Sequence, residues 1–187
     1  AMDRLWTNVV SEKLYLTGGL GARHERESFG EPYELPNRTA YAETCAAIGS
    51  VFWNYRLFLM NGDARYLDVL ERTLYNGVLA GVSLDGRSFF YPNPLASDGV
   101  FEFNKGVATR KDWFDVACCP GNITRFLPSL PGYVYAHADN ELFVNLYMQG
   151  SGTIEMGQGP IRIHQRTDYP WNGSVKIELE IEAPRKL

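Results

Sequence analysis

The sequence is short of several things, and each shortage removes a class of function. No apolar run approaches the roughly 20 residues that a membrane-spanning helix needs, so no transmembrane segment is expected in these 187 residues. There is no excess of positive charge. Eighteen basic residues against 22 acidic ones give a net charge of −4, whereas a protein that binds a phosphate backbone displaces counterions with a basic surface. Neither nucleic acid nor membrane is expected as a partner. The opening residues Ala1-Met2-Asp3-Arg4 lead into no apolar core with a small-residue cleavage site, so no secretory signal is read there.

Cysteine is scarce as well. With three in the chain, an odd number, at least one thiol cannot enter an intramolecular disulfide. Cys118 and Cys119 are adjacent, and Cα atoms about 3.8 Å apart lie below the usual disulfide range. A bridge from Cys45 to either would leave the other free. The lack of a disulfide framework favours a reducing compartment, here taken as cytoplasmic, or a use of thiolates as ligands or nucleophiles. Histidine is limited to His24, His137 and His164; these are isolated from one another and receive no role.

What the chain holds in quantity is aromatic side chains: 4 Trp, 11 Tyr and 10 Phe. Such rings fill cores, and they also stack on the C–H faces of sugars. The apolar fraction of 45% and charged fraction of 21% are those of a globular protein with a substantial core.

Between Asn37 and His137 the pattern is mainly helical. Residues 42–60 carry apolar positions at 45, 48, 52 and 59, flanked by 46, 53 and 57, which is a helical stripe. Asn61-Gly62-Asp63 ends it, with Gly62 suited to the left-handed C-terminal position and Asp63 to the next N-cap. A second helix over 64–80 places Leu67, Leu70, Leu74 and Val78 on one face, so the two form a helical hairpin. A short aromatic strand over 88–91 follows, closed by Pro92-Asn93-Pro94, and then a long loop over 95–117 of the kind that carries function. A third helix is expected from Pro120 to about Leu130, with Pro128 and Pro131 at its end. After Asp139-Asn140 four strands are read, over 141–148, 152–156, 161–166 and 174–182. In the last, Val175, Ile177, Leu179 and Ile181 alternate with charged residues, as in a half-buried strand. The fold class is therefore α+β, with a helical part over 1–138 and the start of a β domain over 139–187.

The residues able to carry chemistry are Glu27, Glu43, Cys45, Cys118 and Cys119. Proline at a first helical position makes Cys119 an N-cap candidate, and a helix N-terminus favours thiolate over thiol. Glu43 and Cys45 also lie at a helix start. On a regular helix they would point about 200° apart, so joint use needs a first turn that is not ideal. Three thiolates and one carboxylate make a sensible tetrahedral zinc set. Free cysteines equally serve as small buried hydrophobes, and Glu27, within Arg23-His24-Glu25-Arg26-Glu27, reads by default as a solvated carboxylate.

These residues sit in an ordered series of motifs: Tyr15-Leu16-Thr17-Gly18-Gly19-Leu20-Gly21, Arg26-Glu27-Ser28-Phe29, Leu35-Pro36-Asn37, Tyr41-Ala42-Glu43-Thr44-Cys45, Phe90-Tyr91-Pro92-Asn93-Pro94-Leu95 and Cys118-Cys119-Pro120-Gly121-Asn122. The series resembles glycoside hydrolase family 127, the β-L-arabinofuranosidases, over nearly the whole chain. The resemblance implies a partial (α/α)6 barrel followed by antiparallel β-sandwich strands, with earlier barrel helices and their substrate-binding histidines not included. It implies Cys118 as nucleophile, Glu27 as general acid/base, Tyr91 as a substrate-binding residue, and Glu43, Cys45, Cys118 and Cys119 as ligands of Zn2+. The implied activity is zinc-dependent retaining hydrolysis of terminal β-L-arabinofuranosides or similar sugars. The alternative is a zinc-stabilised carbohydrate-binding or structural module without turnover. A half-toroid would also leave the stripe Leu67, Leu70, Leu74 and Val78 unpartnered, so self-association or a partner chain completing the barrel is expected.

Overall fold

The computed structural model describes residues 1–182 and is α+β, with helices first and antiparallel strands after. The chain divides into two compact units, Ala1–Leu127 and Pro128–Leu187.

In the first unit, α1 (Met2–Glu12) buries Trp6, whose ring N–H donates to Asn54 Oδ1 at 2.7 Å. Next comes α2 (Thr44–Asn61), which ends where Gly62 turns left-handed at φ 66° and donates its N–H to the Phe58 carbonyl at 2.7 Å. That is the ending expected of glycine after the last turn. Before α3 (Arg65–Thr73), Asp63 Oδ1 accepts the N–H of Arg65 at 3.0 Å, while Ala64 holds the cap position itself. The expected second helix does not stay regular to residue 80. It widens to an i→i+5 turn over Leu74–Val78 and tightens to a 3-10 turn over Leu79–Gly81. The second of these packs against the start of α2: a Cβ on Gly81 would sit 2.7 Å from the Thr44 side chain. Glycine there lets the backbone approach the site-bearing end of α2.

Two expectations about apolar faces are corrected. Leu70, Leu74 and Val78 are 0% exposed. Their partners are the buried face of α2, which includes Ile48, Val51, Leu57 and Phe58, so three of the four residues of that stripe are covered within the chain itself, and Leu67 is half-buried. On α2 itself Phe52 and Leu59 point outward instead of inward. Cutting Leu74 back to alanine is expected to destabilise the protein by about 2–5 kcal/mol, because a fully buried leucine leaves a cavity that rigid neighbours refill only in part. Urea unfolding followed by circular dichroism checks this; a change below about 0.5 kcal/mol would mean the site is not packed.

The expected strand over 88–91 is not formed either. Phe89 exchanges both backbone hydrogen bonds with Lys111, at 2.9 and 3.0 Å, as an isolated bridge. On one side the segment pairs briefly with residues 81–83, the Ser83 N–H donating to the Ser88 carbonyl at 2.8 Å and the Phe90 N–H to that of Gly81 at 2.9 Å; against it also stands the side chain of Asn104, 0% exposed. It accepts from the Tyr91 N–H at 2.8 Å and donates to the carbonyls of Phe89 and Thr109, at 3.0 and 2.8 Å. The long loop over 95–117 thus supplies part of the pairing that a sheet would have supplied, through Asn104 and Lys111. The third helix, α4 (Cys118–Ser129), begins two residues earlier than expected and continues through Pro128; α5 (Pro131–Val134) is a single turn. Pro120 falls in the first turn of α4, where no N–H is needed.

The second unit holds a hairpin of β1 (Tyr135–Ala138) and β2 (Glu141–Val144), and an antiparallel sheet of β3 (Gly150–Met156), β4 (Gly159–Thr167) and β5 (Val175–Ile181) in that order. Strand β1 was not read from the sequence. Strand β2 is half the expected length because the chain opposite its end belongs to α5, whose last residues Tyr133 and Val134 accept from the Asn145 side chain at 3.1 Å and its N–H at 2.8 Å. On central β4, Ile161 and Ile163 are buried. Strand β5 lies at the edge, and its apolar row remains open: Ile177 is 40% exposed, Leu179 42% and Ile181 38%. The alternation was legible but the burial was not. Among the described residues no helix is long and apolar enough to cross a membrane.

Candidate active site and metal centre

Glu43 and Cys45 come together because the first turn of α2 is irregular in the required way. Ala42 is left-handed at φ 39°, held by its N–H to the Gly21 carbonyl at 2.8 Å. Glu43 then takes the cap position in an extended conformation (φ −62°, ψ 136°). The 200° separation of a regular helix therefore does not apply. The Thr44 N–H donates to the Tyr91 carbonyl at 3.0 Å and its hydroxyl to that of Phe90 at 2.8 Å. Those bonds lay the Phe90-Tyr91 segment along the start of α2. Cys118 and Cys119 enter from the first turn of α4.

The four donor atoms of Glu43, Cys45, Cys118 and Cys119 all lie within 4.8 Å of one another. All three thiols are free. A tetrahedral ion with metal–sulfur distances of about 2.3 Å and metal–oxygen near 2.1 Å needs sulfurs about 3.8 Å apart and sulfur–oxygen separations of about 3.6 Å. Cys118 and Cys119 Sγ are 3.8 Å apart, and each is 3.6 Å from Glu43 Oε1. Cys45 and Cys119 Sγ are closer, at 3.3 Å. The residues present therefore fit a zinc-type ion in donor number, donor type and spacing. An outer layer supports them. Asn122 donates to Cys45 Sγ at 3.0 Å, and Arg125 donates to Asn122 Oδ1 at 2.6 Å, the arrangement that orients ligands around a metal.

The electrostatics of the bare cluster point the same way. Burial, then the charge of Glu27, pushes the Glu43 carboxyl up. Burial pushes the Cys118 thiol up. Cys119 is raised further, first by its contact with Cys45 and then by burial. Cys45 alone is lowered, to about 7, chiefly by its hydrogen bond with Cys119. Protein groups alone thus do not sustain four anions in this space, whereas a divalent cation inverts the preference and keeps coordinating thiols deprotonated.

Beside this cluster, Tyr91 places its hydroxyl 3.0 Å from Cys118 Sγ, and its ring meets Phe114 edge-on at 5.5 Å. Glu27 lies on a one-turn 3-10 segment (Glu25–Glu27) in which Arg26 and Glu27 are both left-handed, at φ 57° and 50°. Non-glycine residues held there are strained, a condition that clusters at functional sites. Glu27 is not simply solvated: its side chain is 48% exposed, and Oε1 accepts the Tyr41 hydroxyl at 2.6 Å. Lys105 donates to that same hydroxyl at 3.0 Å.

Four residues around the site were not read from the sequence. Tyr41 and Asn122 stand inside the quoted motifs, where a position two residues before Glu43 and three after Cys119 could have drawn attention. Asn104 and Lys105 lie in a loop without periodicity and carry no such signal. His24 packs edge-on against Tyr41 at 4.9 Å, with burial, then Lys105, lowering its pKa. His164 pairs with Glu180 at 3.2 Å on the sheet. None of the histidines joins the metal-type cluster.

Comparison with known proteins agrees with this geometry. Residues 1–132 match the family described as Beta-L-arabinofuranosidase, GH127 catalytic domain. The chain is 36% identical over 184 residues to a non-reducing end β-L-arabinofuranosidase of Bifidobacterium longum subsp. longum, covering 96% of this chain and 28% of that protein. A solved GH127 β-arabinofuranosidase superposes with a TM-score of 0.90 at 56% identity, over 96% of this chain and 27% of its own. A GH127 β-L-arabinofuranosidase from Geobacillus stearothermophilus T6 gives 0.88 at 41% identity, over 95% and 29%. The chain thus spans under a third of the length of these relatives, and within that span it belongs to glycoside hydrolase family 127, residues 1–132 being part of the catalytic domain.

Proposed function

We propose that this chain carries the zinc-holding part of a retaining glycosidase that removes terminal β-L-arabinofuranose or a closely similar sugar. The observation that carries the reading is the cluster of three thiols and one carboxylate with Tyr91 against one of the sulfurs. Four protein donors fill a tetrahedral ion and leave no position for a bound water. The ion, when bound, supplies charge that keeps the sulfurs deprotonated near neutral pH. Glu43, Cys45, Cys118 and Cys119 would hold it.

Cys118, half-buried where Cys119 is buried and in contact with the Tyr91 hydroxyl, acts as the nucleophile. Its thiolate attacks the anomeric carbon; the glycosidic C–O bond breaks as a thioether C–S bond forms. Glu27, in its protonated form, gives its proton to the departing oxygen. In the second half Glu27 takes a proton from water, the resulting hydroxide displaces Cys118 as thiolate, and the sugar leaves with its original anomeric configuration. The Tyr91 hydroxyl, 3.0 Å from Cys118 Sγ, orients the sulfur toward the sugar.

Metal analysis of the purified full-length protein tests the reading. One zinc per chain is expected, and removal by a chelator should lower the melting temperature, because a closed site contributes to folding. Release of aryl alcohol from an aryl β-L-arabinofuranoside should stop with the metal removed and return on adding zinc. A protein that holds zinc, stays folded and turns over no arabinofuranoside would instead be the non-catalytic module.

A further inference from the structure

Lys105 stands between the two halves of the proposed chemistry without belonging to any of the motifs. Its ammonium lies 4.3 Å from the centroid of the Tyr91 ring and 5.2 Å from that of Tyr41. It donates to the Tyr41 hydroxyl at 3.0 Å and comes within 3.9 Å of Glu27 Oε1. The backbone holds it there. Lys105 is left-handed at φ 54°, directly after Asn104, whose buried amide is tied to Tyr91, Phe89 and Thr109. A strained lysine fixed by a buried neighbour and aimed over two tyrosine faces is an arrangement that surface solvation does not explain.

Donor and acceptor counting gives the consequence. An ammonium has only donors, and a phenol has one proton. With Lys105 donating into the Tyr41 oxygen, the Tyr41 proton is directed to Glu27 Oε1, which it meets at 2.6 Å. Oε1 is then an acceptor only, and the other oxygen, Oε2, must carry the proton delivered to a leaving group. We propose that Lys105 is a positioning residue for the glycosidase reaction: acting through Tyr41, it fixes which oxygen of Glu27 exchanges protons and holds that carboxyl group in place. The inference rests on Glu27 being the acid/base.

The test compares Lys105→Met, Lys105→Arg, Tyr41→Phe, the Lys105→Met/Tyr41→Phe pair and Glu27→Gln in the full-length protein. Each is assayed on two β-L-arabinofuranosides, one with a 2,4-dinitrophenyl and one with a methyl leaving group. Proton donation matters only for the poor leaving group. The Lys105→Met protein should therefore lose about tenfold in kcat/KM on the methyl glycoside. On the dinitrophenyl glycoside it should stay within about twofold, with zinc content unchanged. Lys105→Arg, which keeps a cationic donor, should recover most of the loss. The double variant should be no worse than Tyr41→Phe alone, since both act on one chain of bonds. Equal losses on both substrates, no loss at all, or independent losses in the double variant would overturn the proposal. The Glu27→Gln arm separates the two readings: full activity of that protein on the methyl glycoside would remove Glu27 as acid/base. A selective loss there, with Lys105→Met unaffected, would remove only the role of Lys105.

Discussion

The Cys118→Ser protein is expected to lose turnover by on the order of 10⁴-fold or more, on substrates with good and poor leaving groups alike, because the attacking atom itself is changed. A serine hydroxyl stays protonated near neutral pH and needs an adjacent base, and the side chain closest to it in this site is the Tyr91 hydroxyl, 3.0 Å from the sulfur. Burial and the hydrogen bond to Cys118 raise the tyrosine pKa, so Tyr91 is a donor near neutral pH and does not serve as that base. Metal affinity should fall as well, since a neutral hydroxyl is a poorer zinc ligand than a thiolate. Three donors of the set would remain, so some zinc should still be found. Steady-state kinetics paired with metal analysis checks both halves. A Cys118→Ser protein with activity within tenfold of the parent would exclude sulfur as the nucleophile.

Replacing Glu27 by Gln has a different signature. The amide keeps the shape and can still accept from Tyr41, but it neither gives nor takes a proton. On glycosides with poor leaving groups kcat/KM should drop by about 10²–10⁴-fold. With an activated aryl group the first half-reaction should proceed, and the second should stall because no base activates water. A burst of aryl alcohol close to one equivalent of enzyme, followed by slow turnover, is the expected record in stopped flow. Zinc content should be unchanged, because Glu27 is outside the donor cluster.

How far the sequence could be read depended on which physical signal each part of the chain carries. Helices α2 and α3 were legible because Gly62 and Asp63 mark a break between two periodic stretches. Strands β3 to β5 were legible from alternation and intervening turn residues. Burial was harder. Alternation places Ile177 and Leu179 on one face but does not tell that β5 is an edge strand whose face stays open. The stripe of Leu70, Leu74 and Val78 is apolar whether or not a partner is present, and here α2 provides one. The segment over 88–91 has residues that suit a strand, yet it forms only isolated bridges to Val82 and Lys111, and at Tyr91 its partner is the side chain of Asn104, a long-range substitution with no local trace.

The site divides along the same line. Thiols at helix starts are visible as residue types in a pattern, and the structure gathers Cys45, Cys118 and Cys119 around Glu43. That Glu43 can join Cys45 depends on the extended cap and on the left-handed Ala42 before it, backbone states that an alanine-glutamate pair does not announce. Lys105 was invisible for the opposite reason. Its position arises from a loop tied down by Asn104, and no periodicity or motif spacing describes such a loop.

Mass spectrometry of the Glu27→Gln protein, quenched in acid after mixing with a dinitrophenyl β-L-arabinofuranoside, tests the central claim most directly. The thiolate mechanism predicts one pentosyl unit per chain, carried on the peptide that contains Cys118, with the parent protein releasing arabinose of retained anomeric configuration. Sugar found on Glu43, or a product of inverted configuration from the parent protein, would contradict it.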